Sequence, residues 1–310
     1  MPKSKALFSA ALAIAATLPG PVAMAQGRTT AGNAAPDPDA PPAFRAYVDG
    51  PYGQIHVRVA GPEGGVPMIL VHKMVWSSVE FEKALPVLAA RGIRAIAVDL
   101  PGYGLSDAPD AEPSAAQYAD ALVPVLDHFG IDRAVMVGAN TGATLVTAFA
   151  LEHPGRTRAI ALDGPPIFTG ETLQHLLDEP EFDRTPRPHG AALLARWKEI
   201  EAMAKGRLSD EAIQTGLLQF FQAGPNYLWG HQAIFKYDLA AALDRVEVPA
   251  MVITYPGDQL RNTALQVARD HPGFTLVQID SRGMTADFED PALWANAVAD
   301  YALALRSPVR

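Results

Sequence analysis

The chain contains no cysteine. That excludes disulfides, thiolate metal sites and a cysteine nucleophile. Basic clusters are missing too: 25 Lys and Arg face 34 Asp and Glu, for a formal net charge of −9. Such an acidic balance disfavours nucleic acid and anionic membrane as partners. There is no H-E-x-x-H or C-x-x-C, and no His and Asp cluster at ligand spacing, so no metal site is expected. Gly102 and Gly104 lack the third glycine and the following helix of a dinucleotide fingerprint. No cofactor is expected.

What is present suits one sizeable core with an inserted lobe: 310 residues, 49% hydrophobic and 19% charged. Residues 1–25 read as a secretory signal, with Lys3 and Lys5, the apolar run Ala6–Leu18, and Ala23-Met24-Ala25 as a cleavage site near Ala25. Pro19, Gly20 and Pro21 break that run, which is short for a membrane span. The expected location is periplasmic or secreted, without stable membrane association. Residues 26–43 carry Pro36, Pro38, Pro41 and Pro42 with no apolar period, and read as a flexible linker.

From Phe44 strands and helices alternate. Arg45–Val48 and Gln54–Ala60 suggest an antiparallel pair. Apolar strands are expected at Pro67–His72, Ile93–Asp99, Arg133–Val137 and Thr157–Leu162, and again at Pro249–Tyr255 and Phe274–Ile279. Helical spacing marks Ser78–Arg91, Ala115–Phe129 with Ser114 as N-cap, Thr144–Glu152 and Pro291–Leu305. Unbroken apolar strands between helices predict a mostly parallel, doubly wound sheet of about eight strands, covered on both faces. The rhythm stops at Asp163. Residues 165–246 hold only helical stretches, at Ala191–Ala204, Asp210–Gln222 and Trp229–Leu243. This divides the folded part into a core, 44–164 and 247–310, and a helical cap after the sixth strand.

The strand Arg133–Val137 runs into Gly138-Ala139-Asn140-Thr141-Gly142 and then a helix. That is the frame of the nucleophile elbow G-x-S-x-G, with asparagine in place of serine. An amide carbonyl cannot attack an ester as an alkoxide does. With His72 after the third strand, the run Asp99-Leu100-Pro101-Gly102-Tyr103-Gly104-Leu105-Ser106-Asp107, and Gly257-Asp258 after a late strand, the chain resembles the α/β-hydrolase superfamily. Its look is that of the lidded group of epoxide hydrolases, haloalkane dehalogenases and esterases.

The resemblance implies a nucleophile, an acid and a histidine in that order. Asp258 stands at the acid position. The histidine position, in Gly283-Met284-Thr285-Ala286-Asp287, holds Met284 or Thr285, neither a general base near neutral pH. Oxyanion donors are expected from the Thr141 N–H and an N–H near Lys73 or Met74. Lys73 replaces the family's glycine after His72.

Two readings of Asn140 stay open. Asparagine tolerates positive φ and keeps the turn, or its amide holds a ligand polar group. Candidate catalytic residues are Asn140, Asp258 and His72. Candidate ligand contacts are Lys73, Met74, Trp76, Thr141, Trp229, His231, Met284 and Thr285. His231, if it reached Asn140 or Asp258, would supply the missing base. The sequence favours an exported hydrolase-like enzyme acting on a small apolar organic molecule by a non-standard mechanism. Alternatives are a small-ligand-binding pseudoenzyme and, more weakly, a structural partner. Oligomeric state is not encoded in these patterns.

Overall fold

The computed structural model describes residues 43–178 and 180–305. The expected signal segment 1–25, and the expected linker 26–43 except its last residue, lie outside the described residues. Eight strands form: β1 (Phe44–Gly50), β2 (Gly53–Ala60), β3 (Val66–Val71), β4 (Ile93–Val98), β5 (Ala134–Ala139), β6 (Thr157–Asp163), β7 (Ala250–Thr254) and β8 (Thr275–Gln278). They make one sheet in the order β1-β2-β4-β3-β5-β6-β7-β8. β1 pairs antiparallel with β2, and β2 with β4. All later pairings are parallel.

Parallel strands bury both faces, so their side chains divide between two cores. In β3, Ile69 and Val71 point into the core on one face, and Met68 and Leu70 into the core on the other. The period of two thus accounts for the unbroken apolar run. From β3 the chain moves outward to β4, then crosses back to β5 on the other side. The topological switch therefore lies between β3 and β5, where the loops at their carboxyl ends open a crevice. His72 and Asn140 follow those two strands directly.

Twelve α-helices complete the described fold: α1 (Leu85–Ala90), α2 (Ala115–Asp120), α3 (Val123–His128), α4 (Thr141–Glu152), α5 (Gly170–Leu177), α6 (Ala191–Ala204), α7 (Asp210–Gln222), α8 (Trp229–Phe235), α9 (Leu239–Leu243), α10 (Arg261–Asp270), α11 (Ala286–Glu289) and α12 (Pro291–Ala304). Helices α5 to α9 lie between β6 and β7 and form the cap.

Three expected helices are broken. Ser78–Arg91 becomes a 3-10 turn, Ser78–Phe81, followed by α1, and Ala115–Phe129 becomes α2 and α3. In both, a proline (Pro86, Pro124) restarts the helix in its first turn, because it lacks the N–H an interior position needs. Trp229–Leu243 divides where the Asp238 carboxylate caps α9 by accepting the Ala241 N–H. Ser114 does cap α2, in a full capping box with Gln117. Helices α5 and α10 were not anticipated. α5 has no fully buried residue and α10 buries only Ala264 and Val267.

Candidate functional site

β5 ends at Ala139 and α4 starts at Thr141, leaving Asn140 alone to turn the chain, with φ 47° and ψ −113°. That is strained space for a residue with a side chain. Two backbone hydrogen bonds hold it: the Asn140 N–H donates to the Asp163 carbonyl at 2.7 Å, and the Asn140 carbonyl accepts from the Ala143 N–H at 2.8 Å. A Cβ on Gly138 would lie 2.3 Å from the Gly142 backbone, and one on Gly142 would lie 2.2 Å from the Val71 carbonyl oxygen. The two glycines let α4 press against β5 and β3.

Across the crevice, the loop after β3 is tied down group by group. His72 Nε2 accepts the Leu100 N–H at 3.0 Å, so Nδ1 carries the proton and donates to the Lys73 carbonyl at 2.8 Å. Burial lowers the His72 pKa to about 4, keeping the ring neutral with both nitrogens committed. The Lys73 N–H donates to Glu80 Oε2 at 2.8 Å. The Lys73 ammonium pairs with Glu80 Oε1 and sits 3.9 Å over the Trp76 ring. Trp76 in turn packs edge-on against Phe288 at 5.3 Å. The Met74 N–H donates to the Thr141 hydroxyl at 2.7 Å. Both loop amides expected as oxyanion donors therefore already have acceptors.

The acid position is occupied as expected, with different partners. Asp258 Oδ2 accepts from the Thr254 hydroxyl at 3.1 Å, and Oδ1 from the Leu260 N–H at 2.7 Å. Burial raises its pKa. Among the described residues no imidazole is hydrogen-bonded to Asp258 or Asn140. Met284 N–H donates to the Arg207 carbonyl at 2.7 Å, and the Met284 sulfur meets the Gln259 amide. The Thr285 hydroxyl is buried without a partner.

Behind the loop lies a group of buried acids, of which the sequence reading singled out Asp258 but not Glu80 or Asp287. Glu80 and Asp287 are 0% and 1% exposed, with their carboxyls in hydrogen-bonding reach. Burial first, then the Asp287 charge, pushes Glu80 well above the usual carboxylate range; Lys73 opposes this. Asp163 is raised for the same two reasons, with Asp258 adding to them, while it accepts the Trp294 indole N–H at 2.8 Å. Tyr255 is raised mainly by burial and then by Asp163, Asp287 and Asp258. The signal for Glu80 was ambiguous: Ser77-Ser78-Val79-Glu80 has the look of a helix start, where glutamate faces solvent.

From the cap, the Tyr103 hydroxyl donates to the Tyr227 carbonyl at 2.8 Å and accepts the Gly230 N–H at 3.1 Å, fixing α8 over the core. His231 contacts the Met74 backbone, and its pKa falls to about 4 through burial and then the Arg196 charge. The ring stacks on Phe235 at 5.5 Å. Thus Thr141, Met74 and His231 come together. Lys73 turns towards Glu80, Trp76 packs against Phe288 and Ala212, and Trp229 lines a separate hollow of about 40 Å³ beside Pro101 and Tyr118. A larger cavity of about 330 Å³ lies within the cap, between the segment 166–173 and α8 to α9. Neither cavity is lined by Asn140, Thr141 or Asp258. Among the described residues no three His, Cys, Asp or Glu side chains are grouped to hold a metal, and no helix is long and apolar enough to cross a membrane.

A family model described as alpha/beta hydrolase fold matches residues 66–210. The chain is 30% identical over 264 residues to a 2-(acetamidomethylene)succinate hydrolase of Mesorhizobium japonicum, covering 80% of this chain and 92% of that protein. It is 29% identical over 120 residues to an uncharacterized carboxylesterase of Bacillus subtilis, but spans only 40% of that protein's length. Among solved structures, an esterase from Thermogutta terrifontis superposes with TM-score 0.70 at 19% identity, covering 86% of this chain and 100% of the other. At that identity the likeness speaks for the fold alone. Sheet order, elbow geometry and near-full-length relationship agree, and the chain belongs to the α/β-hydrolase fold family, whose members related to it are hydrolases.

Proposed function

We propose that this protein is an exported, small-molecule-binding member of the family whose elbow does not carry out acyl transfer. The observation that carries this reading is the closure of the oxyanion side. The Met74 N–H is held by the Thr141 hydroxyl and the Lys73 N–H by Glu80. Stabilising a developing oxyanion needs donors aimed at open space about 3 Å away. Here an internal oxygen stands against each of these two loop amides, which leaves the Thr141 N–H as the remaining donor of the expected set. A hydroxyl at position 140 would in any case find no base, since His72 is neutral with both nitrogens committed, and triad members act as a unit.

A second reading, turnover by a non-standard mechanism, draws support from the raised carboxyls of Asp258, Asp163 and Glu80. A carboxyl whose pKa is raised holds its proton to higher pH and is better suited to serve as a general acid. Hydrolysis by the Mesorhizobium relative is in keeping with that alternative. In either reading the ligand is a small, mostly apolar organic molecule and export follows from the N-terminal signal.

The test is a screen of the mature protein against esters, lactones, epoxides and haloalkanes, with Asn140→Ser and Asn140→Ala alongside. Expected is thermal stabilisation by a compound recovered unchanged, and no ester cleavage by Asn140→Ser. Saturable turnover that disappears in Asn140→Ala would reverse the order of the two readings.

A further inference from the structure

The cavity within the cap has walls, a floor and a mouth of different chemistry. Pro166, Ile234 and Leu239 form a buried floor. Phe168 and Phe235 meet edge to face at 5.8 Å in the wall, with half-buried Leu173 and Tyr237 beside them. Thr169, Gly170, Lys236 and Asp238 stand exposed at the mouth. Its volume of about 330 Å³ is near the lower end of the ~300–1,000 Å³ typical of small-molecule sites.

The two charges at the mouth are already committed. Lys236 Nζ pairs with Glu112 at 2.6 Å. The Asp238 carboxylate accepts the Ala241 N–H at 3.0 Å as the cap of α9. Apart from the Asp238 carboxylate, what remains polar is uncharged. The Thr169 hydroxyl makes no capping bond to α5. The Tyr237 phenol, raised above its usual pKa chiefly by burial, stays a hydrogen-bond donor. Aromatic edges and faces favour a flat ring. An anionic group would be buried at large cost there, since Lys236 is paired with Glu112 and Asp238 keeps its own negative charge.

We propose that this cap cavity, and not the elbow, is the ligand site, and that it takes a neutral one- or two-ring aromatic molecule bearing a single hydroxyl or carbonyl oxygen. The rings lie against Phe168 and Phe235, and the oxygen meets the Tyr237 or Thr169 hydroxyl. This inference rests on the reading of the protein as a binder, and names its site and ligand class. The cavity opens to solvent at its mouth, so entry does not require the cap to lift. Its wall continues towards the loop after β3: Phe235 stacks on His231, which contacts the Met74 backbone.

The experiment uses the full-length mature protein with 2-naphthol, naphthalene and 2-naphthoate, measuring Kd by calorimetry, thermal shift, and recovery of the compound by chromatography. Expected is saturable binding of 2-naphthol, recovered unchanged, with 2-naphthoate at least tenfold weaker. Leu173→Trp, which fills the cavity from α5, should weaken 2-naphthol at least tenfold. Should that variant fail to fold, Thr169→Trp at the exposed mouth gives the same expectation. Tyr237→Phe should reduce the preference for 2-naphthol over naphthalene.

Binding retained in both tryptophan variants, or abolished by Asn140→Ala alone, overturns the cap site while leaving the binding reading intact. Tighter binding of 2-naphthoate overturns the ligand class. Failure of all three compounds to bind at 1 mM overturns the inference. A test ester of 2-naphthol released as the free phenol, in a reaction lost with Asn140→Ala, would instead overturn the binding reading itself.

Discussion

Asp287→Asn should stabilise this protein above neutral pH and change little in mild acid. Glu80 and Asp287 are buried with their carboxyls in hydrogen-bonding reach, and the Asp287 charge raises both Glu80 and Asp163. A carboxyl whose folded pKa exceeds its unfolded value holds its proton more tightly in the folded state. Stability is then greatest below the unfolded value and falls as pH rises through the folded one. Two like charges in contact, about 4 Å apart, repel by about 4 kcal/mol at an effective dielectric near 20.

The Lys73 ammonium on Glu80 offsets part of that. A net penalty of about 2 kcal/mol is a reasonable working figure for a pair partly compensated in this way. Asparagine has the same shape and can still accept the Phe288 N–H, now at 3.0 Å on Asp287 Oδ1. At about 2–4 °C per kcal/mol for a domain of this size, the melting temperature at pH 8.5 should rise by about 4–8 °C, with little change at pH 5. The assay is scanning calorimetry of both proteins from pH 5 to 9. A uniform loss of stability across that range would refute the argument, because it would mean that the Asp287 carboxylate anchors α11 more than it repels Glu80.

The acid limb should have a different origin: His72 and His231, both lowered to about 4, support the fold fully above their unfolded value of ~6.5 and progressively less as pH falls towards 4, so that limb should persist in Asp287→Asn. Asn140→Gly should raise the melting temperature, since φ 47° and ψ −113° cost a non-glycine residue about 1–3 kcal/mol; a lower melting temperature would show that the asparagine amide makes contacts that outweigh the strain. Tyr103→Phe removes the hydrogen bonds to the Tyr227 carbonyl and the Gly230 N–H, an expected cost of about 1–3 kcal/mol, and hydrogen exchange should speed up in α8 more than in α4.

Much of the framework could be read from local pattern. Apolar runs located six of the eight strands, and the expected antiparallel pair at Arg45–Val48 and Gln54–Ala60 located the other two. The switch from strand rhythm to helical spacing at Asp163 agrees with five helices between β6 and β7, and two of them, α6 and α7, have the expected bounds. Gly138, Asn140 and Gly142 marked the elbow because the close approach of α4 to β3 permits only glycine on either side. Errors came where local signals are weak. Pro86 and Pro124 were absorbed into longer helical patterns, and α5 and α10, each with few buried residues, were passed over.

The sequence alone determined that a hydrolase scaffold is present with asparagine at its elbow and without an imidazole in the loop after β8. Both facts are matters of residue identity at recognisable positions. Tertiary structure decided what those positions touch. Met74 reaches Thr141 across 67 residues, Trp294 reaches Asp163 across 131, and Glu80 meets Asp287 from the far end of the core. Such pairings arise when separate strands and helices converge on one crevice, and no spacing along the chain encodes them. The pairing of the Lys73 ammonium with buried Glu80 is of the same kind, and its place in a loop does not reveal it.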